Sequence, residues 1–207
     1  MILYFLQGVA LALPSTVSPS PFKIFLISHS LVNGWRATLP AVLAPLITDG
    51  PIIVVALFLL NRIPLWYLNG LHIVGGLFIL TIAARFIRLL RSDHPTLQTS
   101  DQAARQSFKQ AVGINVLNPN PYLLWGIVAG PIVLDAWQQQ SPAVGLSFIV
   151  GFYLAFVLGL TGLVLVFGTA GKLNPRANRI LNATATIALI ALGVYQVVLG
   201  LQGVARG

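Results

Sequence analysis

Ser18-Pro19-Ser20-Pro21-Phe22 returns one hundred residues later as Asn118-Pro119-Asn120-Pro121-Tyr122. Both are polar-Pro-polar-Pro-aromatic runs inside otherwise apolar stretches. A proline within a helix removes a backbone donor and clashes with the preceding turn. Each run is therefore expected to break its helix and to leave nearby carbonyls without helical partners. Such groups are not tolerated against lipid, so the broken segments have to face protein or a water-filled cavity.

Working outward from the two runs, six stretches are long and apolar enough to cross a bilayer as helix, which takes about 20 residues. They run roughly from Ile2 to His29, Thr38 to Leu60, Leu65 to Phe86, Ala111 to Leu134, Ala143 to Phe167 and Ile180 to Leu201. Together they use most of the 207 residues and leave no room for a soluble domain. The expected fold is an all-α polytopic integral membrane protein with six transmembrane helices. Three helices separate the two runs, so the second run crosses in the opposite sense to the first. The spacing predicts two inverted three-helix repeats with broken first and fourth helices, residues 1–90 and 110–207, joined by a cytoplasmic linker at 91–109. Inverted breaks near the midplane are a device by which many secondary transporters bind solute.

Composition agrees with this reading. Charged residues make up only 8% of the chain, too few for a water-facing surface, although 12 Lys and Arg against 4 Asp and Glu give a net charge of +8. A nucleic-acid surface would need that charge on a solvated face, and a mean hydropathy of +0.86 leaves little of one. The linker is also too poor in aromatics for that role. Cysteine is absent, which removes disulfides, thiolate chemistry and Cys-based metal sites. Met1 is followed at once by Ile2 and Leu3 with no basic segment, so the first thirty residues read as a membrane span, not as a cleaved signal.

Basic residues orient the spans, because Lys and Arg concentrate on the cytoplasmic side. With the N-terminus outside, the cytoplasmic side receives Arg36, then Arg85, Arg88, Arg91, Arg105 and Lys109, then Lys172, Arg176 and Arg179. The outer side receives only Arg62 and Arg206. This predicts a multi-pass protein of the plasma (inner) membrane with both termini outside.

Asp49 lies about midway along the second span. A carboxylate at that depth is costly in hydrocarbon and is expected to face the bundle interior or an aqueous path. It is a candidate for binding a substrate ammonium or a proton, beside the simpler reading of a structural hydrogen bond. Lys23 follows the first proline pair and is a candidate partner for Asp49 or for a substrate carboxylate. The remaining candidates cluster at the breaks: Ser18, Pro19, Ser20 and Pro21 in the first half, and Asn115, Asn118, Pro119, Asn120 and Pro121 in the second. Their hydroxyls and amides either bind a zwitterion or satisfy carbonyls released by the prolines. His29 and His72 have no ligand-spaced neighbours and read as packing or interfacial residues. Gly70, Gly75, Gly76, Gly126, Gly130, Gly151, Gly159 and Gly162 suit close helix packing, and Trp35, Trp66 and Trp137 suit interfacial anchoring. No phosphate loop, Ser-His-Asp grouping or HExxH helix appears, and no cofactor is expected, so an enzyme is disfavoured.

This arrangement resembles the LysE/RhtB translocator superfamily, six-helix exporters of amino acids and related solutes with relatives that handle metal ions. The family's first-half pattern, a Pro-Gly-Pro run, then Gly with basic residues, then an intramembrane Asp, is similar to Pro19-Ser20-Pro21, Asn33-Gly34-Trp35-Arg36 and Asp49. Its second-half pattern, aromatic, Gly and Asn-Pro-Lys, is similar to Phe108, Gly113 and Asn118-Pro119-Asn120. Ser20 stands where the family has glycine, Asn120 where it has lysine, and Lys23 is an added charge. The resemblance implies a secondary exporter of a small amino acid or similar zwitterion, coupled to protons and embedded in lipid; the small size of a six-helix unit and its many close-packing glycines suit a homodimer. The alternatives are an exporter of divalent metal ions or another small solute on the same fold, and a non-transporting scaffold or assembly factor whose polar residues are sealed in helix packing.

Overall fold

The computed structural model describes residues 1–58, 65–91, 100–173 and 175–206, and the regular structure among them is helical throughout. In chain order the helices are α1 (Ile2–Val17), α2 (Pro21–Asn33), α3 (Trp35–Val42), α4 (Ala44–Phe58), α5 (Leu65–Arg91), α6 (Ser100–Val116) and α7 (Pro119–Leu123). A π-helical turn, Leu124–Ala129, then leads into α8 (Gly130–Gln139), α9 (Pro142–Leu173) and α10 (Pro175–Arg206). Four segments are each long and apolar enough to span a bilayer: Trp35–Val55, Asn69–Arg88, Pro142–Thr169 and Arg179–Ala205. α1 and α2, bent by 64° at the Ser18-Pro19-Ser20 break, together are long and apolar enough to count as a fifth if the pair crosses as one span. The protein is thus an all-α polytopic membrane protein. Arg62, Asp93 and Pro95 lie outside the described residues. From Ser100 onward the polar stretch read as linker is helical, and Ser107 is fully buried there, donating to the Ala37 carbonyl at 2.7 Å.

The two proline runs break the chain in related but unequal ways. A residue that precedes proline is pushed out of the α region by the proline ring. Ser18 (φ −56°, ψ 130°) and Ser20 (φ −149°, ψ 155°) both obey, giving a three-residue interruption. In the second run Asn118 obeys (φ −84°, ψ 122°), while Asn120 is drawn into α7 although Pro121 follows it. Each new helix then starts with proline at its first position, where the missing N–H costs nothing. Ser20 caps α2 through its hydroxyl, which accepts from Lys23 N at 3.4 Å, and Asn118 caps α7 by accepting from Asn120 N at 3.1 Å. The prolines therefore start helices here, and the carbonyls they orphan lie in the turn before each break.

Close packing arranges these pieces. α5 lies along α10, crossing where Gly76 meets Gly193; a Cβ on Gly76 would come within 2.7 Å of the Gly193 carbonyl oxygen. α1 lies along α9, where a Cβ on Gly8 would strike the Phe148 carbonyl and one on Gly151 would strike the Phe5 carbonyl. Gly75 and Gly159 also sit at close approaches, while Gly70 and Gly162 have open space around them. Ser30 Oγ donates to the Val164 carbonyl at 2.7 Å and ties α2 to α9. One buried cluster, including Phe25, Leu26, Ile79, Ile114, Leu160 and Leu189, fills the bundle between α2, α5, α6, α9 and α10. A second, built on Ala12, Trp125, Phe148 and Phe152, lies between α1, α9 and the π-helical turn. Substituting Gly151→Val is expected to force α1 and α9 apart at about 1–3 kcal/mol, the usual cost of overpacking. Thermal melting in detergent should show the loss, with Gly162→Ala close to the intact protein.

Candidate functional site

Both breaks open onto one chamber of about 410 Å³, within the size range of small-molecule sites. Ser18, Pro19, Ser20 and Lys23 line it from the first break. Asn115, Asn118, Asn120 and Pro121 line it from the second, and Asp49 enters from α4. Of the candidate residues, only Pro21 and Pro119 are not in the lining; both are buried as the first residues of their helices. The chamber sits between the two apolar clusters, with Phe22 from one and Phe152 from the other in its wall.

Asp49 is 4% exposed, and its bonding can be followed proton by proton. Asn115 Nδ2 carries two protons and donates one to Asp49 Oδ1 at 2.6 Å and one to Thr48 Oγ1 at 2.7 Å. The single Thr48 hydroxyl proton has two acceptors in reach, the Ala44 carbonyl at 3.0 Å and Asp49 Oδ1 at 3.4 Å, while the Thr48 oxygen orients Asn115. Asp49 Oδ2 accepts from the Tyr153 hydroxyl at 2.9 Å, and the Tyr153 ring stacks on Trp125, centroids 6.0 Å apart. All of these donors are neutral. A buried charge is ordinarily paired, and Asp49 is part of the chamber lining.

Lys23 and Asp49 are not joined by an ion pair. The Lys23 ammonium instead donates to the Ser15 carbonyl at 2.5 Å. Helical bonding would have given that carbonyl the N–H of residue 19, which is proline. The second half solves the same problem without charge. The Val116 carbonyl, whose helical donor would be Asn120 N, accepts from the Tyr122 hydroxyl at 3.0 Å, because Asn120 N is engaged by Asn118 Oδ1. Lys23 thus caps the Ser15 carbonyl and is itself part of the chamber lining.

His29 is buried and its Nδ1 lies 2.9 Å from Thr38 Oγ1, whose proton goes to the Gly34 carbonyl at 3.0 Å. It is a packing residue between α2 and α3, outside the chamber lining. Among the described residues no three of His, Asp and Glu gather into a set able to hold a metal ion.

The chamber, its two broken-helix walls and the intramembrane carboxylate occur in a chain whose residues 14–200 match the family described as LysE type translocator. The chain belongs to that family. No curated protein and no solved structure matches it. LysE type translocators are membrane transporters of small solutes, not enzymes, and this translocator's chamber reaches Lys23 and Asp49, which a sealed scaffold would have closed in packing.

Thr48, Tyr153 and Trp125 escaped the sequence reading. Thr48 adjoins Asp49, and Tyr153 is a hydroxyl placed mid-span among apolar residues, a signal that was present but not distinctive. Asn115→Leu in this translocator removes the donor of Asp49 Oδ1 and the tie between α4 and α6. An unsatisfied buried acceptor costs about 1–3 kcal/mol, more when charged. The expected result is a clear drop in melting temperature, whereas Asn120→Ala, at an exposed position, should leave it near the intact value.

Proposed function

We propose that this protein exports a small amino acid or related zwitterion through the inner membrane, driven by the proton gradient. The observation that carries the reading is the presence of one ammonium and one carboxylate on a single chamber, buried and not paired with each other. A zwitterion complements both at once: its carboxylate meets the Lys23 ammonium, and its own ammonium meets Asp49. The break amides of Asn118 and Asn120 and the hydroxyl of Ser20 supply neutral contacts. When no solute is bound, a proton on Asp49 is the smallest cation that meets the same need, which couples solute release to proton uptake.

The helix arrangement supports alternating access by two inverted three-helix repeats, α1–α5 and α6–α10. The third span of each half, α5 and α10, pack along each other. The first span of one half rests on the second span of the other in both directions, α1 on α9 and α6 on α3. This exchange of partners is what a pseudo-two-fold axis through the chamber would generate, and rocking one half against the other would expose the chamber to each side in turn. In the same reading both termini are outside and two copies associate in the membrane.

The test is flux of an amino-acid panel from proteoliposomes under an imposed pH gradient. Transport of at least one amino acid, dependent on that gradient, is the expected result. Flux of none of them, with divalent cations carried instead, would replace the solute assignment.

A further inference from the structure

The charge of the chamber is confined to one end. Among the described residues Lys23 and Asp49 are the only charged ones in its lining, and both lie at the level of the breaks. Beyond the second break the wall turns aliphatic. Leu124, Ile127 and Val128, all from the π-helical turn, line it there. Trp125, Gly126 and Ala129 of the same turn are buried. α9 contributes Phe152 and Phe156, four residues apart and therefore on one helical face.

The geometry points to a side-chain subsite in this wall, and to amino acids with an uncharged apolar side chain, of the leucine, valine and methionine class, as the transported solutes. The inference rests on the zwitterion reading of the chamber. With the solute's backbone charges met by Asp49 and Lys23, a third charge on its side chain would lie against Leu124, Ile127 and Phe156 with no further charged group among the described lining residues. Placing an unpaired charge there is prohibitive, and burying an unpaired hydroxyl is costly. An aliphatic side chain gains instead, since a single methylene in a hydrophobic pocket changes discrimination by about 10–200-fold. The wall has a graded depth: Phe152 is buried, Leu124 and Phe156 are half-buried, and Ile127 and Val128 form its exposed rim.

The inference is tested in proteoliposomes by efflux of radiolabelled leucine, valine, alanine, serine, lysine and glutamate, each alone and in competition. Leucine or valine should exceed alanine and serine by about tenfold or more, with lysine and glutamate at background. Two variants probe the wall itself, Ile127→Thr at the exposed rim and Leu124→Asn deeper in. Each is expected to lower the leucine-to-serine ratio about tenfold, a readout internal to one preparation and independent of how much protein folds. Lysine or glutamate carried as fast as leucine would overturn the subsite and leave amino-acid export standing. An unchanged ratio in both variants, while the intact protein prefers leucine, would overturn the assignment of this wall. Failure to carry any amino acid would remove the zwitterion reading and the subsite with it.

Discussion

Asp49→Asn is expected to reduce the flux driven by a pH gradient to the level of protein-free liposomes. The substitution is nearly isosteric, and the surrounding groups can accommodate it. Asn115 still finds a carbonyl oxygen at position 49, and the Tyr153 hydroxyl, which now donates to Oδ2, can turn to accept from the new amide. Packing is therefore retained, and melting should stay close to that of the intact protein. What disappears is the negative charge, and with it the group that, in the proposed function, holds a substrate ammonium or a proton. Tyr153→Phe should give an intermediate result, because Asp49 keeps its charge and its Asn115 partner while one oxygen loses its donor. Equal pH-driven flux in intact and Asp49→Asn protein, both correctly folded, would refute the aspartate coupling.

Much of this site could be read from the chain because prolines act locally. The run Ser18-Pro19-Ser20-Pro21 restricts its own backbone, so the first break follows from sequence with little help from tertiary packing. Asn120 shows the limit of that logic. It also precedes proline, yet it is helical, since the Asn118 cap and the packing of Tyr122 against Tyr67 stabilise an earlier helix start. Asp49 was conspicuous as a charge in an apolar span. The partners it would find were not, because Asn115 and Tyr153 stand 66 and 104 residues away and only the fold brings them together.

The apolar wall was invisible for the opposite reason. Leu124, Ile127 and Val128 have the composition of any membrane helix, and nothing local separates a chamber-facing leucine from a lipid-facing one. Trp35, read as an interfacial anchor, also packs on Gly168, where a Cβ on that glycine would come within 2.7 Å of the Trp35 Cβ. Tryptophan near a span end has the same appearance in both settings.

Lys23→Met should have the second large effect, and on two properties at once. Methionine fills similar space and keeps the apolar stem, but it has neither charge nor donor. The Ser15 carbonyl is left without the bond that Pro19 cannot provide, at a cost of about 1–3 kcal/mol, which a melting curve will register. The chamber also loses its positive pole, so solute flux should fall even at temperatures where the variant is folded. Lys23→Gln separates the two roles. Its amide can donate to Ser15 without carrying charge, so stability should return in part while flux does not. Had Lys23 been only a helix-end cap, glutamine would restore flux along with stability; had it been only a charge for the solute, methionine would leave the melting temperature unchanged. With its ammonium on a proline-orphaned carbonyl and the residue in the chamber lining, the proposed double role expects neither outcome.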